Sequence, residues 1–414
     1  MTPPGDADRL AVVLLALAAP VALLALLPPG SYDFSGHETG YLSLLRGEPV
    51  EADESLRFAL MPVPSLLARL LGALGAGEGI WTALNRAALA AVVFAAGRSS
   101  GALGGRGIVA AVLALLSPAL LLWSGAGYFL VPALALALGG ILAGAREKPG
   151  LAVVLGLLAL GTRLETAPLA LLGAWLASPR RGRVALALAG AAFGLWVLLD
   201  PRLAGLTRPD LSTLRLLTGA QLVGLGVAAV GLWALGDEAL PWGGALLLTL
   251  VLPLGLADPG ARHFLPLGAL AAVLAGVGAG RVPRVGLPAA AIAALLGLVG
   301  VLAVPSRWDP EGHGRLPAWE RAASEAWTLR ELTSRGCTVL APGGDVFVPG
   351  ALDSERVGSI RAARSADCVF LVVTDGALFR GDTRSERFDR GRRVLGLEPV
   401  ARIPEEQALV FGTR

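Results

Sequence analysis

Leu151-Ala-Val-Val-Leu-Gly-Leu-Leu-Ala-Leu-Gly-Thr-Arg-Leu-Glu-Thr-Ala-Pro-Leu-Ala-Leu-Leu-Gly-Ala-Trp-Leu-Ala177 is an apolar run cut in the middle by charge. A membrane span needs about 20 apolar residues. This run is longer than that, yet Arg163 and Glu165 stand near its centre with Pro168 just after them. The stretch reads as two short helices that enter and leave on one side, with a turn at Thr162–Glu165. A broken helix at membrane depth is tolerated only where it lines an enclosed or watery cavity.

The rest of the chain fits around that hairpin. Apolar residues make up 54% of the 414 and charged ones only 16%. An ordinary soluble domain has about 25% charged residues. From Phe58 to Val304 there are eight acidic residues, and only Glu165 interrupts an apolar run. Residues 305–414 instead carry 16 acidic residues and 16 arginines. The sequence thus predicts a polytopic α-helical membrane protein with a C-terminal soluble α/β domain. The transmembrane part covers 1–304 with about ten spans, near 10–28, 79–97, 107–122, 127–145, 183–199, 213–235, 241–257, 263–280 and 286–304 with the hairpin at 151–177. The segment Leu10–Pro28 lacks a small-residue cleavage site and reads as a retained first span. Arg57–Gly75, punctuated by Met61-Pro-Val-Pro64, reads as an interfacial or re-entrant helix.

Short basic loops set the expected orientation. They hold Arg98 and Arg106, Arg146 and Lys148, Arg180 with Arg181 and Arg183, and Arg281 with Arg284. Placing these inside puts the loop at 29–57 and the tail after Val304 outside. The inside turn Gly236-Asp237-Glu238 fits poorly, since it carries no positive charge. The net charge of +3 comes from these loops and gives no reason to expect nucleic acid.

Within the tail, Leu316–Arg335 has helical spacing, with Trp319, Ala323, Trp327 and Leu332 near one face. Cys337–Ala341 and Cys368–Val373 read as buried strands, Ser354–Arg364 and Phe388–Gly396 as helices, and Val400–Ile403 as a strand. The two cysteines could form a disulfide if the tail is extracytoplasmic. The other reading, two buried thiols on adjacent strands, is the one the sequence favours.

Three groups of residues could carry chemistry. The first outer loop packs Asp33, His37, Glu38 and Tyr41 just after the first span. A carboxylate held against a membrane surface can act as a general base. With His37, Glu38 is also compatible with a divalent metal, though the spacing matches no established metal motif. A solvated loop is the plain alternative. The second group is Arg163 and Glu165, since ionisable residues in a membrane segment are costly and suggest function. An arginine fork suits phosphate; a pair that only steadies the break is the alternative. In the third, Arg262 and His263 open a span at its outer end, where a helix N-terminus favours an anion or the pair anchors the interface. Phosphate-binding loops, serine-nucleophile elbows and paired Cys-x-x-Cys motifs are absent from the sequence.

The layout resembles the GT-C superfamily of polytopic glycosyltransferases, which includes protein O-mannosyltransferases and the bacterial aminoarabinose transferase. The resemblance rests on His37-Glu38-x-x-Tyr41 through Gly47, Met61-Pro-Val-Pro64, Asn85-Arg86, Ser117-Pro118 with Trp123-Ser124, Leu160-Gly-Thr-Arg163 and Arg262-His-Phe-Leu-Pro266. His37 stands where that family most often has Asp, so Glu38 or Asp33 would serve as base. The resemblance implies a multi-pass protein of the bacterial inner membrane with its tail outside. It also implies transfer of a sugar from a polyprenyl phosphate to a glycan, lipid or protein acceptor, with inversion. Arg163 and Arg262 would hold the phosphate, with His37, Tyr41, Glu165 and His263 around the substrate. A transporter or flippase of a lipid-linked or anionic substrate, or a non-catalytic scaffold, is the competing expectation.

Overall fold

Apolar helices with glycine and alanine at their crossings build the first part of the chain, and alternating apolar strands build the last. The structure, a computed structural model, describes residues 5–26, 44–45, 47, 61–77, 79–125, 129–179, 182, 219–255, 264–302, 325–341, 351–353, 357–374, 392, 395–403 and 408–413. These fall into two compact units, a helical one that ends at Leu302 and a second at the C-terminal end.

The helical unit contains α1 (Asp6–Leu26), α2 (Pro62–Ala73), α3 (Gly79–Ala102), α4 (Gly107–Leu115), α5 (Pro118–Gly125) and α6 (Leu130–Ala145). It continues with α7 (Pro149–Thr162), α8 (Ala167–Ala177), α9 (Gly219–Leu235), α10 (Ala239–Val251), α11 (Leu265–Arg281) and α12 (Pro283–Leu302). Helix α11 is apolar all round and buried along its length, from Leu265 to Ala279, as a central helix must be. Around it, α9, α4, α12 and α3 pack.

Among the described residues, three helical stretches are long and apolar enough to cross a membrane: Asp6–Leu24, Leu222–Val251 and Pro283–Leu302. The middle one is divided, because Gly236 takes φ 58° and a 3-10 turn follows at Gly236–Glu238. Gly243 on α10 then faces Leu232 on α9. Four shorter helices among the described residues are also apolar: Leu130–Ala145, Pro149–Thr162, Leu164–Ala177 and Leu265–Arg281. Leu14, Leu17 and Val21 on α1 and Ile292, Leu295 and Val299 on α12 are exposed. Such apolar faces on one molecule call for an apolar surround.

Close approach sets the packing of α6, α7 and α8. A Cβ on Gly173 of α8 would lie 2.7 Å from the Gly140 carbonyl carbon of α6, and one on Gly144 would strike the Gly173 carbonyl. Small residues at these crossings let backbones touch, which is how apolar helices associate without a hydrophobic driving force between them. Gly156 of α7 meets Ala170 of α8, two positions placed evenly about Arg163. Helix α8 therefore runs back along α7.

The C-terminal unit has β1 (Glu325–Ala326), α13 (Leu329–Ser334), β2 (Thr338–Ala341), β3 (Leu352–Asp353), α14 (Val357–Ala363), β4 (Val369–Thr374), β5 (Glu398–Ile403) and β6 (Ala408–Gly412). Its sheet order is β1-β5-β6-β4-β2-β3. Strand β6 pairs antiparallel with both β4 and β5, while β2 pairs parallel with β3 and β4 and β1 with β5. Alternate side chains go to opposite faces. Leu340, Leu371, Val373, Leu409 and Phe411 fill one core with Ala363 of α14. Val339, Phe370, Val372, Ala401 and Val410 fill the other with Leu332 of α13.

Two expectations for this unit change. The helix expected over Leu316–Arg335 starts, among the described residues, only at Leu329. Thr328 caps it: its Oγ1 accepts from the Glu331 N–H at 3.2 Å, and Glu331 accepts from the Thr328 N–H at 2.7 Å. A reciprocal cap of this kind fixes a start. Glu325 and Ala326, which precede it, are drawn into the sheet beside Ala401 and Arg402. Cys337 and Cys368 are not two thiols but a disulfide. Parallel pairing places Thr338 opposite Val369, so the preceding cysteines also face each other.

Candidate functional site

The two ends of the helical unit differ in chemistry. One end collects the basic loops. Asp8 Oδ2 and Oδ1 accept from the Gly107 and Ile108 N–H at 3.1 and 3.0 Å, so the start of α1 caps α4. Arg281 donates from Nε to the Leu103 carbonyl at 3.0 Å and from Nη1 to the Ala234 carbonyl at 3.3 Å. Its Nη2 lies 3.4 Å from Glu238 Oε2. The acidic turn that fitted the basic loops poorly thus meets an arginine from one of them.

The opposite end holds the break between α7 and α8. Thr162 Oγ1 donates to the Leu158 carbonyl at 2.7 Å and closes the last turn of α7. Arg163 then takes extended backbone, φ −154° and ψ 124°, which stops the helix. Leu164–Thr166 forms a 3-10 turn, and Thr166 Oγ1 donates to the Arg163 carbonyl at 2.7 Å. Pro168, in the first turn of α8, suits a helix start because its missing N–H would have had no partner there. Arg163 is 2% exposed and Thr166 fully buried, while Glu165 is half-buried. Both charged residues are engaged in interactions. A buried arginine survives only when engaged, since an isolated buried charge is prohibitively costly.

Two further segments lie at this end of the helical unit, and one of them touches the break. The start of α2 lies on its tip: a Cβ on Gly161 would come 2.9 Å from Val63 Cγ2. Trp81, at the start of α3, stacks edge-on against Phe129 beside the start of α6, with centroids 4.9 Å apart. Asn85 Nδ2 donates to the Trp81 carbonyl at 3.1 Å. Trp81 Nε1, Asn85 Oδ1 and Arg86 Nε are buried and meet no hydrogen-bond partner among the described residues. Buried polar atoms normally find partners, so such a group marks a place where a ligand's polar atoms would be welcome.

Of the residues singled out from sequence, Arg163 and Glu165 lie at this break. Asp33, His37, Glu38, Tyr41, Arg262 and His263 lie outside the described residues. Among the described residues, no group of three or more His, Cys, Asp and Glu could hold a metal. The sequence reading missed Trp81. Its signal was an aromatic one helical turn before Asn85, on the same face.

No family model matches the chain, and neither a curated protein nor a solved structure matches it.

Proposed function

We propose that this chain is a multi-pass membrane glycosyltransferase of the GT-C type, moving a sugar from a polyprenyl phosphate to an acceptor outside a bacterial inner membrane. The observation that carries the reading is the buried Arg163 in a helix break, with Met61–Pro64 and Gly161 packed together beside it. Those segments carry part of the sequence resemblance and are nearly a hundred positions apart. The buried polar edge of Trp81, Asn85 and Arg86 gives further support, because sugar and phosphate oxygens suit it. The disulfide of the second unit fits an oxidising compartment outside the membrane.

The shorter apolar helices would complete a bundle of about ten spans. In the proposed chemistry Arg163 and Arg262 hold the donor phosphate, which is the leaving group. Glu38 or Asp33 takes the proton of the acceptor hydroxyl as its oxygen attacks the anomeric carbon from the opposite face. The carbon–oxygen bond to phosphate breaks and the sugar inverts. An arginine held in a water-poor site stabilises the charge that develops on the phosphate.

The test is transfer from polyprenyl-phosphate sugars in membranes containing the full chain. Glu38→Gln or Asp33→Asn is expected to abolish transfer with expression intact. Arg163→Lys keeps the charge but loses the fork and is expected to lower transfer roughly a hundredfold. Full transfer in both carboxylate variants sinks the base assignment. Substrate accumulation in vesicles with no glycosylated product would instead make the chain a transporter, which the broken helix also suits.

A further inference from the structure

At the basic end of the helical unit, a cavity of about 530 Å³ is lined by Asp8, Arg9, Arg98, Arg146, Glu238 and Arg281, with residues 101–104. Its acids are already committed. Both oxygens of Asp8 accept the first N–H groups of α4, and Glu238 faces Arg281. Arg281 also donates to the Leu103 and Ala234 carbonyls. Arg9 pairs with the exposed Asp6 at 3.5 Å. Among the described residues neither Arg98 nor Arg146 has an ion-pair partner.

Gathering more cations than counter-charges is unfavourable: four arginines line the cavity against Asp8 and Glu238. Arg98, beyond the apolar part of α3, shows the cost: its guanidinium pKa is lowered, first by burial and then by the charges of Arg146 and Arg9, with Asp8 acting the other way. An anion in the cavity would relieve that repulsion. Arginine forks match the oxygens of phosphate in pairs. The space exceeds what a bare phosphate needs and suits a phosphate carrying a glycerol-sized group. Its place at the ends of apolar helices is headgroup depth for a membrane protein.

We infer that this cavity is a phosphate-binding site in which Arg98 and Arg146, helped by Arg9, hold the oxyanion of an anionic phospholipid headgroup or of a soluble phosphate compound. It lies at the opposite end of the bundle from Arg163 and stands independently of the transfer chemistry.

The experiment uses the full chain in neutral detergent. Native mass spectrometry follows retention of phosphatidylglycerol against phosphatidylcholine, and calorimetry follows inorganic pyrophosphate. Wild type is expected to retain at least one phosphate probe selectively, less so as salt rises. The double variant Arg98→Gln with Arg146→Gln should weaken this about tenfold or more, each arginine contributing at headgroup depth. Arg98→Lys with Arg146→Lys keeps both charges and should retain part of it; if the glutamine variant fails to fold, this pair and the salt dependence decide. Phosphatidylglycerol retained while pyrophosphate fails assigns a lipid headgroup; pyrophosphate displacing the lipid assigns a soluble source. Equal retention of the two lipids with no pyrophosphate binding overturns the site, as does unchanged binding in the folded glutamine variant.

Discussion

Glu331 shows how one exposed side chain can set a boundary. Its carboxylate accepts from the N–H and hydroxyl of Thr328, and these bonds, the backbone one first, hold its pKa below the ordinary glutamate value. A carboxyl depressed in the folded state contributes stability above its unfolded pKa and loses it as pH falls through the folded value. Glu331→Gln should therefore loosen α13 at pH 7. The gap from wild type should close on acidification below about pH 4, where glutamate takes up its proton. Amide exchange of residues 329–334 in the full chain, corrected for intrinsic rates, measures this; a gap that persists at low pH would remove the charge from the account. The pattern Thr328-x-x-Glu331 was open to reading as a capping box, yet the helical spacing around Trp327 masked it. The helix break at Arg163 was legible because charge inside an apolar run has few explanations. Trp81 was only faintly legible, through its place one helical turn before Asn85, because its buried Nε1 is a product of how α3 meets Phe129 beside α6.

At the level of elements, the α7–α8 hairpin depends on glycine where backbones touch. Gly173→Ala would push a methyl into the Gly140 carbonyl, which cannot move aside without shifting α6. A cost of about 1–3 kcal/mol is expected, as for overpacking elsewhere. Gly156→Ala is the contrast, since its nearest neighbours would be Ala170 atoms at 3.5 Å, an ordinary contact. Thermal unfolding in detergent should separate the two variants; equal midpoints would mean that the α6–α8 crossing gives way freely. Hairpin geometry could be read ahead of the structure because length, charge and proline agreed on one break. Strand β6 could not. Its five residues, Ala408–Gly412, are a short apolar run at the end of the chain, and only pairing with β4 and β5 makes them the centre of a sheet.

For the molecule as a whole, composition divided the chain into an apolar helical part and a charged α/β part, and the structure has two units of those kinds. Strand order was beyond reach, because two parallel pairings join residues far apart in sequence. The Cys337–Cys368 disulfide, 31 residues apart, closes a loop that should stabilise the C-terminal unit by about 3–4 kcal/mol. In intact cells, an impermeant reductant followed by an impermeant maleimide is expected to label both cysteines. Labelling only after the membrane is opened would place that unit inside and reverse the proposed orientation.

Arg281 reaches the ends of three helices, and its partner Glu238 precedes it by 43 residues. During synthesis the acidic turn therefore leaves the ribosome well before the cation that neutralises it. If the chain threads through a membrane as proposed, for that interval the α9–α10 pair carries carboxylates and no positive charge of its own to tell the insertion machinery which way to lie. On that reading its orientation would be settled late, when α11 arrives, so the threading of this stretch would depend on what has yet to be translated.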